Sequence, residues 1–453
     1  MSLQHLIRHE VAGGGPLLSR RDWLGRTASV AIGSLALGTG SARAQATPAH
    51  RACIVLWMSG GASQLDTFDL KPGHANGGPF KPIETTVPGI QLSEHLPNLA
   101  RHAKHLAIVR SMSTKEGDHE RATVHMHTGY QRRINVDYPT FGSLVANENS
   151  PAGLSIPSFI NIDPPPNLSL AYKPGFLGTR FAPLVLRPNP TTGATNSETD
   201  SQPLLRVENL LPPRGVARAQ MESRAELLQA LEQDFSIRQP DAVAQSHRIA
   251  YDRALRLMHP ESASAFDLLQ ESAALREAYG NDPFGQGCLL ARRLVERGVG
   301  FVEVTLGGGN QNWDTHAKNF TRVQELSANL DRGWSQLITD LETRGLLDST
   351  LIVWMGEFGR TPVINTADGR DHFPGAWSTV LAGGGIKGGQ TLGRTSADGM
   401  TVDDRPVSVP DFLSTVALAL GINPAKQNLA ADGQPIRIVD SAANPLRELL
   451  ANG

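Results

Sequence analysis

Cys53-Ile54-Val55-Leu56-Trp57-Met58 runs directly into Ser59-Gly60-Gly61, and this junction decides the fold. A continuous apolar run with no polar alternation reads as a strand buried on both faces, the kind found in the interior of a parallel sheet. Parallel neighbours need a crossover. Leu106-Ala107-Ile108-Val109 supplies the next strand after a helix expected around Leu96 to Lys104. Farther along, the pattern predicts helix Leu289 to Arg297, strand Phe301 to Leu306, helix Val323 to Arg344 and strand Leu351 to Met355. Strand Ser378 to Leu381, helix Pro410 to Leu420 and an edge strand Ile436 to Val439 complete it. The expected class is α/β, with a doubly wound, mostly parallel sheet.

Between the two halves, Phe159 to Ile162 forms a short strand, and Pro164 to Pro213 is rich in Pro, Asn, Thr and Gly, the composition of long loops. Arg224 to Tyr279 has helical spacing with breaks near Pro240 and Pro260, so residues 164–280 read as an insertion that shapes a cleft. No repeat of solenoid period is present. Ahead of the domain, Ser19-Arg20-Arg21-Asp22-Trp23-Leu24, a weakly apolar run from Thr27 to Gly40 and the small-x-small Ala42-Arg43-Ala44 follow the order of a twin-arginine signal peptide. Residues 1–44 are therefore expected to direct export to the periplasm or beyond through the twin-arginine machinery. The run is shorter than the ~20 residues of a membrane span and is interrupted by Ser29, Gly33, Ser34 and Gly38, so no stable anchor is expected. Residues 45–453 are expected to fold as a single domain.

Lys+Arg 42 against Asp+Glu 44 gives a net charge of −2, with no basic field to hold nucleic acid or an anionic membrane. Cys53 and Cys288 are too few for a disulfide framework; two separate buried thiols are expected, with a disulfide the alternative.

In open α/β sheets ligands bind beyond the carboxyl ends of the strands, and the polar clusters of this chain fall there. Asp66 follows the first strand, and Asp118, His119, His125 and His127 follow the second. Asn312-Trp313-Asp314-Thr315-His316, Glu357-Phe358-Gly359-Arg360 and Gly369-Arg370-Asp371-His372 follow later ones. Convergence gathers Asp66, Asp314, Glu357 and Asp371 with His119, His316 and His372. Neighbouring carboxylates repel and are costly to desolvate unless a cation compensates. Imidazole and carboxylate donors without thiolate suit Zn²⁺ or Mn²⁺, with Mg²⁺ or Ca²⁺ as alternatives. Arg360 is expected to clamp an anionic substrate.

Each piece has a plainer reading. Asp314 is a good N-cap for the following helix, Arg370-Asp371 makes a surface ion pair, and His125 and His127, two apart, face differently on a helix. Gly383-Gly384-Gly385-Ile386-Lys387-Gly388 satisfies a dinucleotide glycine pattern but is followed by Gly389 to Gly393 and no helix, so a hairpin or turn is expected. Neither a phosphate loop nor a Gly-x-Ser-x-Gly elbow occurs.

Taken together, Trp57 to Gly61 with Asp66-Thr67-Phe68-Asp69, Asn312 to His316, Glu357 to Pro362, Gly369 to His372 and Leu381 to Gly385 resemble a large bacterial family of exported proteins. That family is numbered fifteen hundred and one among the domains of unknown function and is grouped with the alkaline-phosphatase and sulfatase superfamily. The resemblance implies a three-layer αβα fold and a two-metal hydrolytic site. By order along the chain it places ligands at Asp66, Asp314, His316, Glu357 and His372, and a nucleophile at Ser113 or Thr114. Neither cysteine sits in the Cys-x-Pro-x-Arg context of sulfatases. The implied activity is metal-dependent hydrolysis of phosphate or sulfate esters by a metal-activated water or by Ser113 or Thr114. The alternative is a non-catalytic surface module that binds a polymer or a partner protein.

Overall fold

The computed structural model describes residues 51–451, apart from Ile134, Ala152, residues 308–311 and most of 189–241. The expected signal peptide and the break at Pro240 lie outside the described residues. Nine strands form the main sheet: β1 (Ala52–Met58), β2 (Leu106–Met112), β3 (Phe159–Ile162), β4 (Leu184–Pro188), β5 (Leu205–Arg206), β6 (Phe301–Leu306), β7 (Thr350–Met355), β8 (Trp377–Gly383) and β9 (Gln390–Leu392). Their order is β9-β2-β8-β7-β1-β6-β3-β4-β5. β1 lies at the centre, parallel to both β6 and β7, and β8 and β5 run against the others.

Continuous hydrophobicity in β1 follows from cover on both faces. Ile54, Leu56 and Met58 join one core with Leu289, Trp334 and Leu337, while Cys53, Val55 and Trp57 join the other with Phe141, Val145 and Leu413. Helices therefore cover both sides, and the expected α/β layering is present. On the second face lie α1 (His119–Thr128), α2 (Phe141–Asn149) and α5 (Val409–Ala419). On the first lie α3 (Pro283–Glu296) and the 25-residue α4 (Asn319–Thr343). α3 starts six residues before the expected Leu289, because Asp282 accepts hydrogen bonds from the Phe284 and Gly285 amides and Pro283 occupies the first turn.

Cys53 and Cys288 are free and buried, in the cores on opposite faces. The expected edge strand Ile436 to Val439 is not part of the main sheet; Pro435–Arg437 pairs with Gln427–Leu429 in a separate ribbon. The true edges are β9 and β5, and β4 and β5 fall inside the stretch read as loops. The glycine-rich segment is a turn but no hairpin. β8 and β9 flank β2, and the chain passes from one to the other at the amino end of β2.

Candidate metal centre

At the carboxyl rim, two glycines let separate loops meet. Gly60 has φ +101, and a Cβ there would stand 2.4 Å from the Asp314 amide nitrogen; Gly61 has φ +80, with the Phe358 carbonyl 2.6 Å from its Cβ position. Only glycine accepts both the backbone angle and the approach. The Trp313 amide donates to the Ser59 carbonyl at 2.8 Å, and the Gly60 amide donates to Glu357 Oε1 at 2.9 Å. The ends of β1, β6 and β7 are thereby tied together. Over them sits the amino end of α1, where Asp118 caps the helix and His119 begins it.

Three imidazoles converge on Asp314. His119 Nε2 lies 3.4 Å from Asp314 Oδ2, while His316 Nε2 and His372 Nε2 lie 3.1 and 3.2 Å from Asp314 Oδ1. The latter two nitrogens are 3.1 Å apart. Donors on one zinc ion, with bonds of ~2.0–2.1 Å at tetrahedral angles, stand ~3.3 Å apart, so His316, His372 and Asp314 already outline such a face. His119, Asp314 and His372 each offer an atom within 4.8 Å of the others. On every ring the far nitrogen has an acceptor: Glu357 Oε1 at 2.7 Å from His119 Nδ1, Asp371 Oδ1 at 2.7 Å from His316 Nδ1, and the Gly117 carbonyl at 2.9 Å from His372 Nδ1. With an ion bound, donation from Nδ1 to these acceptors would turn the Nε2 lone pairs toward it, the tautomer that metal ligation uses. Glu357 Oε2 is buried with no hydrogen-bond partner, a state that costs ~1–3 kcal/mol unless a cation or proton covers it. The donor set fits one divalent transition-metal ion.

Charge in the site is strongly coupled. Burial works to lower the His119 pKa, but Asp314 and Glu357 outweigh it and hold the imidazole up at about 9. For Asp314 burial works upward, and His119, His372 and Arg360 pull the carboxyl far below the ordinary range. The His316 hydrogen bond lowers Asp371.

Several expected roles change with this geometry. Arg360 is fully buried and spent on the protein itself. Nη2 pairs with Asp314 Oδ1 at 2.6 Å and bonds the Gly60 carbonyl, Nε donates to the Gly61 carbonyl at 3.0 Å, and Nη1 to the Arg370 carbonyl at 3.3 Å. It locks the floor of the site and is not an anion clamp. Asp66 is not brought to the imidazoles. Arg370 Nε and Nη2 reach its two oxygens at 2.8 and 3.2 Å, with Ser63 and Asn319 completing the shell, all buried. Arg370 is thus paired inside the protein with Asp66 and not on the surface with Asp371. Two arginines meet part of the charge that the sequence argument gave to metal. Glu357 and Asp371 reach the group through the imidazoles they hold. His119, His316, His372 and Asp314 gather in one group, and Asp66 stands apart from it.

Asp314 does not cap α4, whose first residue is preceded by Lys318. Ser113 and Thr114 run beside the loop after His372, through the Thr114 amide to the Pro374 carbonyl, and among the described residues neither hydroxyl hydrogen-bonds the imidazoles. His125 is buried, and His127 is buried against Glu303 at 3.0 Å. Sequence reading missed that pair because Glu303 stands alone in an apolar strand. It also missed the Gly117 carbonyl, which has no side-chain signature.

Among curated proteins none matches the chain. Solved structures resemble it loosely. The lipoteichoic acid synthase LtaP from Listeria monocytogenes is 8% identical, with 86% of this chain and 75% of that one covered and a TM-score of 0.38. The PsFucS1 sulfatase from Pseudoalteromonas sp. is 11% identical, covering 82% and 68% at TM-score 0.38. The phosphonate monoester hydrolase of Agrobacterium radiobacter is 10% identical, covering 89% and 77% at TM-score 0.38. At such values the likeness assigns neither activity nor substrate. Residues 50–450 match the model of a family described as "Protein of unknown function (DUF1501)", and the chain belongs to that family.

Proposed function

We propose that this chain is an exported hydrolase of phosphate or sulfate esters in which His119, His316, His372 and Asp314 hold one divalent ion, zinc or manganese. The observation that carries the reading is the convergence of three Nε2 atoms on one carboxylate, each ring fixed from behind by its own acceptor. When bound, such an ion lowers the pKa of a water and offsets charge on a phosphoryl or sulfuryl oxygen. The protein's own groups do the rest. Glu357, Asp371 and the Gly117 carbonyl orient the imidazoles, Arg360 fixes Asp314, and partial exposure of His119, His316 and His372 leaves the group open to a substrate. Export by the twin-arginine route is supported by the order of signals in residues 1–44.

Two observations favour the alternative of a non-catalytic binding module: Arg360 is spent on the protein, and among the described residues neither the Ser113 nor the Thr114 hydroxyl hydrogen-bonds the imidazoles. A panel of aryl phosphates, phosphodiesters and sulfates, assayed with zinc or manganese, separates the two readings. Turnover abolished in His372→Ala together with the loss of one metal ion per chain supports the hydrolase. Stoichiometric metal without turnover on any ester refutes it in favour of the module, and a folded, metal-free protein refutes both the ion and the reaction.

A further inference from the structure

A second group of donors stands at the opposite end of β2. His102 and His105 lie on the turn that leads into the amino end of the strand, whereas the imidazole site lies past its carboxyl end, about 20 Å away for a seven-residue strand. Their rings face each other with centroids 6.3 Å apart and planes at 29°. Glu342, in the last turn of α4, places Oε1 3.3 Å from His105 Nε2, near the ~3.3 Å separation of two donors on a zinc ion. One donor atom each from His102, His105 and Glu342 falls within 4.8 Å of the others.

The arrangement is built and not incidental to a floppy surface. Asp331, three turns earlier on α4, receives the Asn98 and Leu99 amides at 3.1 and 2.7 Å and fixes the start of the short helix Pro97–Arg101. His102 and His105 amides close the following turns on the Leu99 and His102 carbonyls at 2.9 and 2.8 Å. Both ends of the segment therefore lie against one helix. His105 Nε2 is sealed from solvent and faces Glu342 Oε1, so two donor atoms of the group stand side by side. Thr339 Oγ1, 3.3 Å from His102 Nε2, adds a polar neighbour. One cation competes: Lys104 Nζ lies 3.1 Å from Glu342 Oε1, on a largely exposed side chain free to swing away.

We propose that His102, His105 and Glu342 form a second divalent-metal site, of the imidazole-carboxylate kind that takes zinc or cobalt, stapling the turn before β2 to the end of α4. The site is independent of the imidazole group at the other rim. Its ligand chemistry is borderline-soft, its fourth position faces solvent, and its effect is on the stability of the fold.

The test is zinc stoichiometry and thermal unfolding of the full chain, for the wild type, His102→Ala/His105→Ala and His316→Ala/His372→Ala. The expected result is one zinc fewer per chain in His102→Ala/His105→Ala than in the wild type, with a smaller zinc-induced rise in Tm. In the His316→Ala/His372→Ala background one zinc remains, and adding Lys104→Ala, which removes the competing ammonium without touching the core, tightens its binding severalfold. A His102→Ala/His105→Ala variant with as much zinc and as large a Tm rise as the wild type overturns the proposal. So does unchanged zinc affinity on adding Lys104→Ala. A wild type holding a single zinc that His102→Ala/His105→Ala removes upholds this site and refutes the rim site instead.

Discussion

Glu303→Gln is the most informative single change away from the rim. Glu303 is fully buried at the centre of the sheet, on the face covered by α1. Its Oε2 lies 3.0 Å from His127 Nε2, Asn161 Nδ2 donates to Oε1 at 3.3 Å, and His127 Nδ1 is held by the Thr123 carbonyl at 2.8 Å. The rings of Trp57 and Tyr172 close over the imidazole at 4.4 and 4.9 Å. Burial works to lower the His127 pKa, but Glu303, the Thr123 carbonyl and more distant Glu357 outweigh it, and the net shift is upward. Breaking a buried pair by neutralising one partner costs about 3–5 kcal/mol, a large share of the 5–15 kcal/mol that holds a typical protein together. The sign with pH follows from the shift. Because the folded pKa of His127 is above its unfolded value, its contribution is fully present below about 6.5 and fades as pH rises through the folded pKa. Urea unfolding at pH 5.5, 7 and 9 should therefore show a destabilisation that is largest at pH 5.5 and shrinks toward pH 9. A loss below about 1 kcal/mol, or a loss that does not change with pH, would refute the reasoning. Leucine at both 127 and 303 should recover much of the stability, because well-packed apolar pairs replace buried ion pairs with little or no loss.

Gly60→Ala forces a Cβ against the Asp314 amide at a backbone angle that costs ~1–3 kcal/mol, and it should lower both Tm and metal content as the Asp314 loop is displaced. Arg370→Met leaves Asp66 charged and buried without a counter-charge, and chemical denaturation should read a loss of about 3–5 kcal/mol; a loss under 1 kcal/mol would show the pair to be dispensable. Asp371→Asn replaces an exposed carboxylate, so stability should hold within ~0.5 kcal/mol while metal affinity at the rim falls 10- to 100-fold; equal affinity by calorimetry would deny Asp371 its orienting role.

The central strands were legible because burial on both faces removes every constraint except apolarity and β-branching: β1, β6 and β7 lie within a residue of their expected bounds. Convergence of polar clusters at the carboxyl rim was legible for the same reason, since a parallel sheet brings successive strand ends to one edge. Ligand assignment within that rim was not. Asp66 and Asp314 carry identical chemistry in the sequence, and only the fold shows that Arg370 takes one while the other faces three imidazoles. Arg360 likewise looks like a substrate clamp until the Gly60 and Gly61 carbonyls are seen to occupy it. β4 and β5 escaped notice because short strands at and beside an edge, among prolines and glycines, lack the apolar periodicity that marks interior ones. Ile436 to Val439 erred the other way: four residues of β propensity find an independent ribbon as readily as a sheet edge.

X-ray absorption at the zinc edge, on His102→Ala/His105→Ala protein loaded with one equivalent of zinc, bears most directly on the rim site. Three imidazole nitrogens and a carboxylate oxygen at ~2.0–2.2 Å are predicted, with the imidazole scattering reduced when His372→Ala is added. A spectrum without imidazole, or one that His372→Ala leaves unchanged, contradicts the account.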